Sequence, residues 1–204
     1  MNSPTPVPGP TIDVAGLSDL NAVARLVGRS FAHLEVISFL VPDPVRRQHV
    51  PNDWYGLYIE HAIRGAGQVL VTDDFTACAV WFDRTGEVTE PKDYAERLAV
   101  VAGDDLPQFL ELDRKMDALH PADPHRHLLF LAVDPDHWDQ GLGSRLLDVT
   151  HAELDANGEC AYLEATGDEN ARLYRRHGYT DMDPATIELS DGTQLRRMWR
   201  PAAA

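Results

Sequence analysis

The residues with the clearest chemical possibilities form one run, Gln140-Gly141-Leu142-Gly143-Ser144. Glycines let a ligand approach the backbone, and N–H groups at a helix start lack intrahelical partners, so the run suits phosphate oxygens. An anion there gains about 0.3–1 kcal/mol from the helix dipole, with charge-assisted hydrogen bonds in addition. A diphosphate is the guest it suits. No Lys-Ser or Lys-Thr pair follows the glycines, which excludes a P-loop. Leu146 stands where the third glycine of a dinucleotide fingerprint would fall, and no βαβ repeat surrounds it. A plain strand-to-helix turn is the competing reading of the glycines alone.

Other reactive side chains carry less. His120, His125 and His127 are close in sequence, but no Cys or Glu stands at helical spacing to complete a zinc site, so no metal is expected. Cys78 and Cys160 fall in or beside strand-like segments and read as reduced core residues.

These groups are held by recognisable elements. Residues 127–133 form a short apolar run closed by Asp134-Pro135, a buried strand, and helical spacing follows from Gly143. Residues 161–166 read as another strand. Before them come a Pro-rich tail over residues 1–10, an opening strand over 11–14, and a helix with Leu20, Val23, Ala24, Val27 and Phe31 on one face, capped by Ser18 or Asp19. Pro42, Pro44 and Pro51 break residues 32–52 into turns, and Asp53 starts a second helix carrying Trp54, Tyr55 and Tyr58. A hairpin over 69–82 turns at Asp73-Asp74, two helices parted at Gly103 fill 87–120, and Asp191-Gly192 joins a last antiparallel hairpin, 187–189 with 193–199.

Composition sets bounds. The 204 residues, 44% apolar, suit one domain with a sizeable core, here residues 11–204. A net charge of −15 argues against nucleic acid as a partner. No apolar run is long enough to span a bilayer and the first residues lack a signal-peptide pattern, so a cytoplasmic protein without membrane attachment is expected.

Val133-Asp134-Pro135-Asp136-His137, then Gly141-Leu142-Gly143-Ser144, the strand Ala161-Tyr162-Leu163-Glu164-Ala165-Thr166 and finally Asn170-Ala171-Arg172-Leu173-Tyr174 through Gly178-Tyr179 arrive in the order of the acyl-CoA-binding half of the GNAT N-acetyltransferases, which the sequence resembles. Its other strands look like those of the puromycin acetyltransferase-like branch. Trp138 stands where the family usually has Arg or Gln, which leaves the diphosphate more dependent on backbone N–H groups.

The resemblance implies an α/β (α+β) fold: a mixed central sheet with splayed parallel strands at the acyl-CoA site, helices on both faces and a C-terminal antiparallel hairpin. It implies acetyl-CoA as cosubstrate, with pantetheine against Leu131, Ala132 and Val133 and the diphosphate on Trp138, Asp139, Gln140, Gly141, Leu142, Gly143 and Ser144. Asn170 matches a CoA-contacting residue, and is alternatively a helix N-cap. Tyr174 matches the tyrosine that protonates the leaving thiolate, and Glu164 is the candidate base. Trp54, Tyr58 and Trp81 are candidate acceptor walls, with ordinary core packing as the alternative. The implied activity is acetyl transfer to a primary amine of a small molecule. A peptide amine and a non-catalytic acyl-CoA sensor are the alternatives, and the state is monomer or homodimer.

Overall fold

The computed structural model describes residues 9–203. The expected tail at 1–10 therefore lies outside it except for Gly9 and Pro10, and Arg145 donates to the Pro10 carbonyl at 2.7 Å. One seven-stranded sheet runs in the order β1-β2-β3-β4-β5-β7-β6. Its strands are β1 (Ile12–Val14), β2 (Gly67–Thr72), β3 (Ala77–Asp83), β4 (Arg126–Val133), β5 (Ala161–Thr166), β6 (Thr180–Glu188) and β7 (Gln194–Arg200). Only β4 and β5 pair in parallel; every other neighbour is antiparallel. The mixed sheet expected from the sequence is present.

Helices cover both faces because strand side chains alternate. On one face α1 (Leu20–Phe31), α2 (Glu35–Leu40), α3 (Val50–His61), α4 (Tyr94–Ala102) and α5 (Leu106–Leu119) bury Val23, Val27, Trp54, Leu98 and Phe109 against Val80, Phe130 and Ala132. On the other, α6 (Leu142–Asn157) and α7 (Gly167–Arg176) bury Leu146, Leu147 and Tyr174 against Ala79, Trp81, Leu128 and Leu163. Cys78 is free and buried, and Cys160 is free and partly buried.

Several boundaries differ from the sequence reading. The broken stretch contains α2, and α3 starts at Val50, because Pro51 sits in its first turn where the missing N–H costs nothing. Asp19 precedes α1, but its carboxylate accepts from Gly16 N at 2.8 Å and caps no first-turn amide of the helix. β6 begins at Thr180, well before residue 187.

The feature that positions a site is the parting of β4 from β5. Their pairing ends at Leu128 with Leu163, although both strands continue. β4 stays with β3 up to Val133, and β5 stays with β7 up to Leu195, so the sheet opens between them. The register between β3 and β4 shifts at Val80/Trp81, leaving Leu129 as the extra residue of a β-bulge beside the opening.

Candidate active site

The opening leads into a cleft of about 760 Å³. Its walls include Leu131 and Val133 of β4, Trp138, Asp139 and Gly141 of the following loop, Leu142, Gly143 and Ser144 of α6, and Asn170 and Tyr174 of α7. Residues far apart in sequence thus share one cavity.

Local conformation explains the loop. Asp139 has φ +60° and Gly141 φ +77°, left-handed values that turn the chain sharply before α6. Gly141 is the N-cap of α6 and supplies no side-chain cap, so the helix starts with uncapped amides beside the cleft. A Cβ at Gly141 would meet nothing within 4 Å, whereas one at Gly143 would touch Leu173, Leu131 and Val133 at 3.6–3.8 Å. The first glycine therefore serves the backbone turn; the second lies in ordinary packing contact.

The strand edge is more selective than the sequence suggests. Asp134 N donates to Thr76 O on the β3 side, so alternation turns the backbone of Ala132 to β3 and that of Leu131 and Val133 to the opening. Ala132 is 1% exposed and belongs to the core, which corrects its placement in the cleft. The Val133 carbonyl already accepts from Ser30 Oγ and from Trp138 Nε1, each at 2.9 Å. Both its lone pairs are engaged, leaving its N–H and both groups of Leu131 for a ligand. Trp138 remains half-exposed and meets His33 edge-on at 5.3 Å. Arg29 pairs with Asp134 at 2.8 Å, fixing the end of β4 to α1, and this hydrogen bond helps hold the Asp134 carboxyl below its ordinary value.

On α7, Tyr174 is 9% exposed and its ring meets Tyr179 at 5.8 Å. Burial pushes its phenol up, so the proton stays on at neutral pH. Asn170 is not the N-cap, which is Thr166; it lies inside the helix, and its Nδ2 donates to the Thr166 carbonyl at 2.8 Å. The residue also lines the cleft.

Not every candidate converges. Gln140 is not among the residues lining this cleft, and neither are Glu164, Trp54, Tyr58 and Trp81. Trp54 packs between Tyr55, Tyr58 and Phe109, and the Tyr58 hydroxyl lies 2.6 Å from that of Tyr94. Trp81 is 1% exposed and faces α6 against His151. Burial among other aromatic side chains is the reason these three do not wall the cavity. The wall at that end comes from residues that were not individual candidates: Phe31, His33, Leu34, Glu35 and Val36 around the α1–α2 turn, and Thr193, Gln194 and Leu195. No single-sequence signal marks the α1–α2 turn, because its helix is too short to show a period.

Comparison with known proteins agrees with this architecture. The pattern of the GNAT acetyltransferase domain matches residues 67–181. A Corynebacterium glutamicum structure described as histone acetyltransferase HPA2 and related acetyltransferase is 26% identical, with a TM-score of 0.72 over 96% of this chain and 97% of that one. A mosquito arylalkylamine N-acetyltransferase-like 5b (17% identical, TM-score 0.61, 95% and 100% covered) and the Escherichia coli ribosomal-protein-S18-alanine N-acetyltransferase (19%, 0.56, 95% and 95%) share the fold. The family pattern spans more than half of the chain, and the chain belongs to the GNAT acetyltransferases and is an acyltransferase.

Proposed function

We propose that this acyltransferase moves an acetyl group from acetyl-CoA to a primary amine of a small molecule by direct transfer, with Tyr174 as general acid. One observation carries the reading: the buried Tyr174 phenol lines the same cavity as the uncapped start of α6 and the open edge of β4. The residues present fit the donor, since the left-handed Gly141 leaves open space where its Cβ would stand, beside amides without intrahelical partners. When bound, acetyl-CoA supplies a thioester acyl group. Leu131, the Val133 N–H, Trp138, Asp139 and Gly141 to Ser144 would hold it, with Asn170 alongside.

Tyr174 holds its proton until thiolate charge develops and then releases it from its hydroxyl. The acceptor enters at the end walled by Phe31, Glu35 and Leu195, in place of the walls expected at Trp54, Tyr58 and Trp81, and Glu35 favours a cation there. Glu164, the expected base, is buried beside His127 and does not line this cleft, so it would take the amine's proton through an intervening water.

CoA release measured by thiol detection, with acetyl-CoA and a panel of puromycin, polyamines, aminoglycosides and a lysine peptide, tests the reading. Release that depends on a small amine supports it. Release with the peptide alone replaces the acceptor class, and silence throughout with acetyl-CoA still bound in calorimetry removes small amines of these classes.

A further inference from the structure

The acceptor end of the cleft is walled in part by the turn between β6 and β7, and that turn is tied to a helix outside the cleft. β6 lies at the margin of the sheet with β7 as its strand neighbour, so its outer edge has no strand to meet. Their pairing breaks between Asp181 and Thr186 and resumes as far as Glu188 with Gln194. A free edge of this kind is commonly covered by another element. Here α5 covers it.

Two side chains of α5 engage the end of that edge. Glu111 accepts from Ser190 N with Oε1 and from Ser190 Oγ with Oε2, each at 2.7 Å. Lys115 donates to the Glu188 carbonyl and lies 3.7 Å from Glu111 Oε1. The carboxylate thus takes a backbone N–H and a hydroxyl, and the ammonium takes a nearby backbone carbonyl. The Ser190 hydroxyl, then its N–H and the Lys115 charge, hold the Glu111 carboxyl below its ordinary value, so it meets the turn as a carboxylate. The same helix buries Phe109 and Leu112 in the core that holds Ile187, Leu189 and Leu195.

The turn carries this hold to the cleft through its own bonds. Gly192 N donates to the Leu189 carbonyl at 3.0 Å, and Leu189 N donates to the Thr193 carbonyl at 2.8 Å. Asp191 accepts from Thr193 N at 2.9 Å and from Thr193 Oγ1 at 3.0 Å. Gln194 Nε2 donates to Glu188 Oε2 at 3.3 Å. Ser190, Thr193 and Gln194 are therefore parts of one bonded unit, and Thr193, Gln194 and Leu195 line the cleft. Leu195 stands between Thr166 of β5 and Ile187 of β6, whereas Gln194 pairs with Glu188 alone and Thr193 precedes the strand. Those last two residues follow the turn. α5 also packs on α2, and Glu35 and Val36 of α2 wall the same end.

We propose that Glu111, which does not line the cleft, is a positioning residue for the acceptor: its grip on Ser190 sets where Thr193 and Gln194 stand beside the amine. The inference rests on the acetyl-transfer reading. The groups assigned to the donor, Leu131, the Val133 N–H and the turn into α6, belong to other elements. Loosening the grip therefore reaches the amine and spares acetyl-CoA.

The test is CoA release against concentration of the most active panel amine, at saturating acetyl-CoA, for the unaltered protein, Glu111→Ala, Glu111→Gln and Ser190→Ala. Acetyl-CoA calorimetry and thermal unfolding accompany it. Glu111→Ala should raise the amine KM about tenfold with kcat and acetyl-CoA affinity within about threefold, the pattern of lost acceptor binding. Glu111→Gln should recover most of that loss, because its amide oxygen still accepts from Ser190 N and its NH₂ can donate to Ser190 Oγ. Ser190→Ala keeps the N–H bond, loses the hydroxyl and should raise KM about threefold. In the double variant Glu111→Ala with Ser190→Ala, KM should equal that of Glu111→Ala, as expected for partners in one interaction. An unchanged KM in Glu111→Ala overturns the proposal, and so does a fall confined to kcat or to acetyl-CoA affinity. If Glu111→Ala fails to fold, Ser190→Ala decides alone, since it removes one hydroxyl from an exposed residue: a raised KM supports the proposal and an unchanged one overturns it. A failure of the transfer reading looks different, since the unaltered protein would then release no CoA with any amine.

Discussion

Replacing Tyr174 by Phe deletes one oxygen from a side chain already packed against Tyr179, so the fold should hold while the proton source is lost. Turnover at neutral pH should fall about 10²-fold, with acetyl-CoA affinity within a few-fold, as read by CoA release and calorimetry. Unchanged turnover would remove Tyr174 as the acid. Tyr174 was legible because it stands in a run of spaced residues, Asn170 to Tyr179, that the family signature shares. Trp81 was not. Alternation says that Trp81 and Phe82 face opposite sides, but nothing in one sequence says which side holds the cleft; Trp81 turned out to face α6. His127 was visible as one of three histidines and as the start of a strand, but not as the partner of Glu164, 2.8 Å away, because Glu164 comes from a different strand.

At the scale of elements, the strand-to-helix turn before α6 was the strongest sequence signal, and its glycines prove unequal. Gly141 at φ +77° would strain any side chain, so Gly141→Ala should cost about 1 kcal/mol, a fall in Tm of roughly 2–4 °C. Gly141→Val should in addition weaken acetyl-CoA binding at least about tenfold in calorimetry, because its side chain would project into the space proposed for the diphosphate. Affinity equal to that of the Ala variant would refute the assignment of this loop. Gly143→Ala meets neighbours only at 3.6–3.8 Å and should leave Tm nearly unchanged. Long periodic elements such as α1, α4 and α5 could be read from spacing. The six residues of α2 could not, since Glu35-Val36-Ile37-Ser38-Phe39-Leu40 offers fewer than two turns and two β-branched side chains. β6 was shortened in the reading because Asp181, Asp183 and Pro184 look like loop, yet an edge strand tolerates them where its register shifts. The walls around the α1–α2 turn were lost with α2, as they flank it.

The whole molecule also stores a pH response in the face that α3, α4 and α5 share. The helices of residues 87–120 contribute Leu98, Ala102, Phe109 and Leu112 to the core. A partly buried chain of hydrogen bonds ties the three helices: the Tyr58 and Tyr94 hydroxyls lie 2.6 Å apart, and Tyr94 donates to Asp113 at 2.9 Å. Burial pushes the Asp113 carboxyl up to about 6, and the charges of Asp117 and Glu90 add to the rise. The fold therefore prefers protonated Asp113. Below about pH 4 the group is protonated in both folded and unfolded chains and costs nothing; as pH rises from about 4 to about 6 the unfolded chain alone ionises freely and stability falls. Above pH 6 the accumulated penalty is about 3 kcal/mol, two pKa units at 1.36 kcal/mol each. Asp113→Asn keeps an acceptor for the Tyr94 hydroxyl without the charge. Denaturant unfolding should find it more stable than the unaltered protein by roughly 1–3 kcal/mol at pH 7.5 and equal to it at pH 4. A variant weaker than the unaltered protein at pH 7.5 would show instead that the ionised carboxylate earns its place through the Tyr94 hydrogen bond, and the three-helix face would then tighten rather than loosen as Asp113 loses its proton.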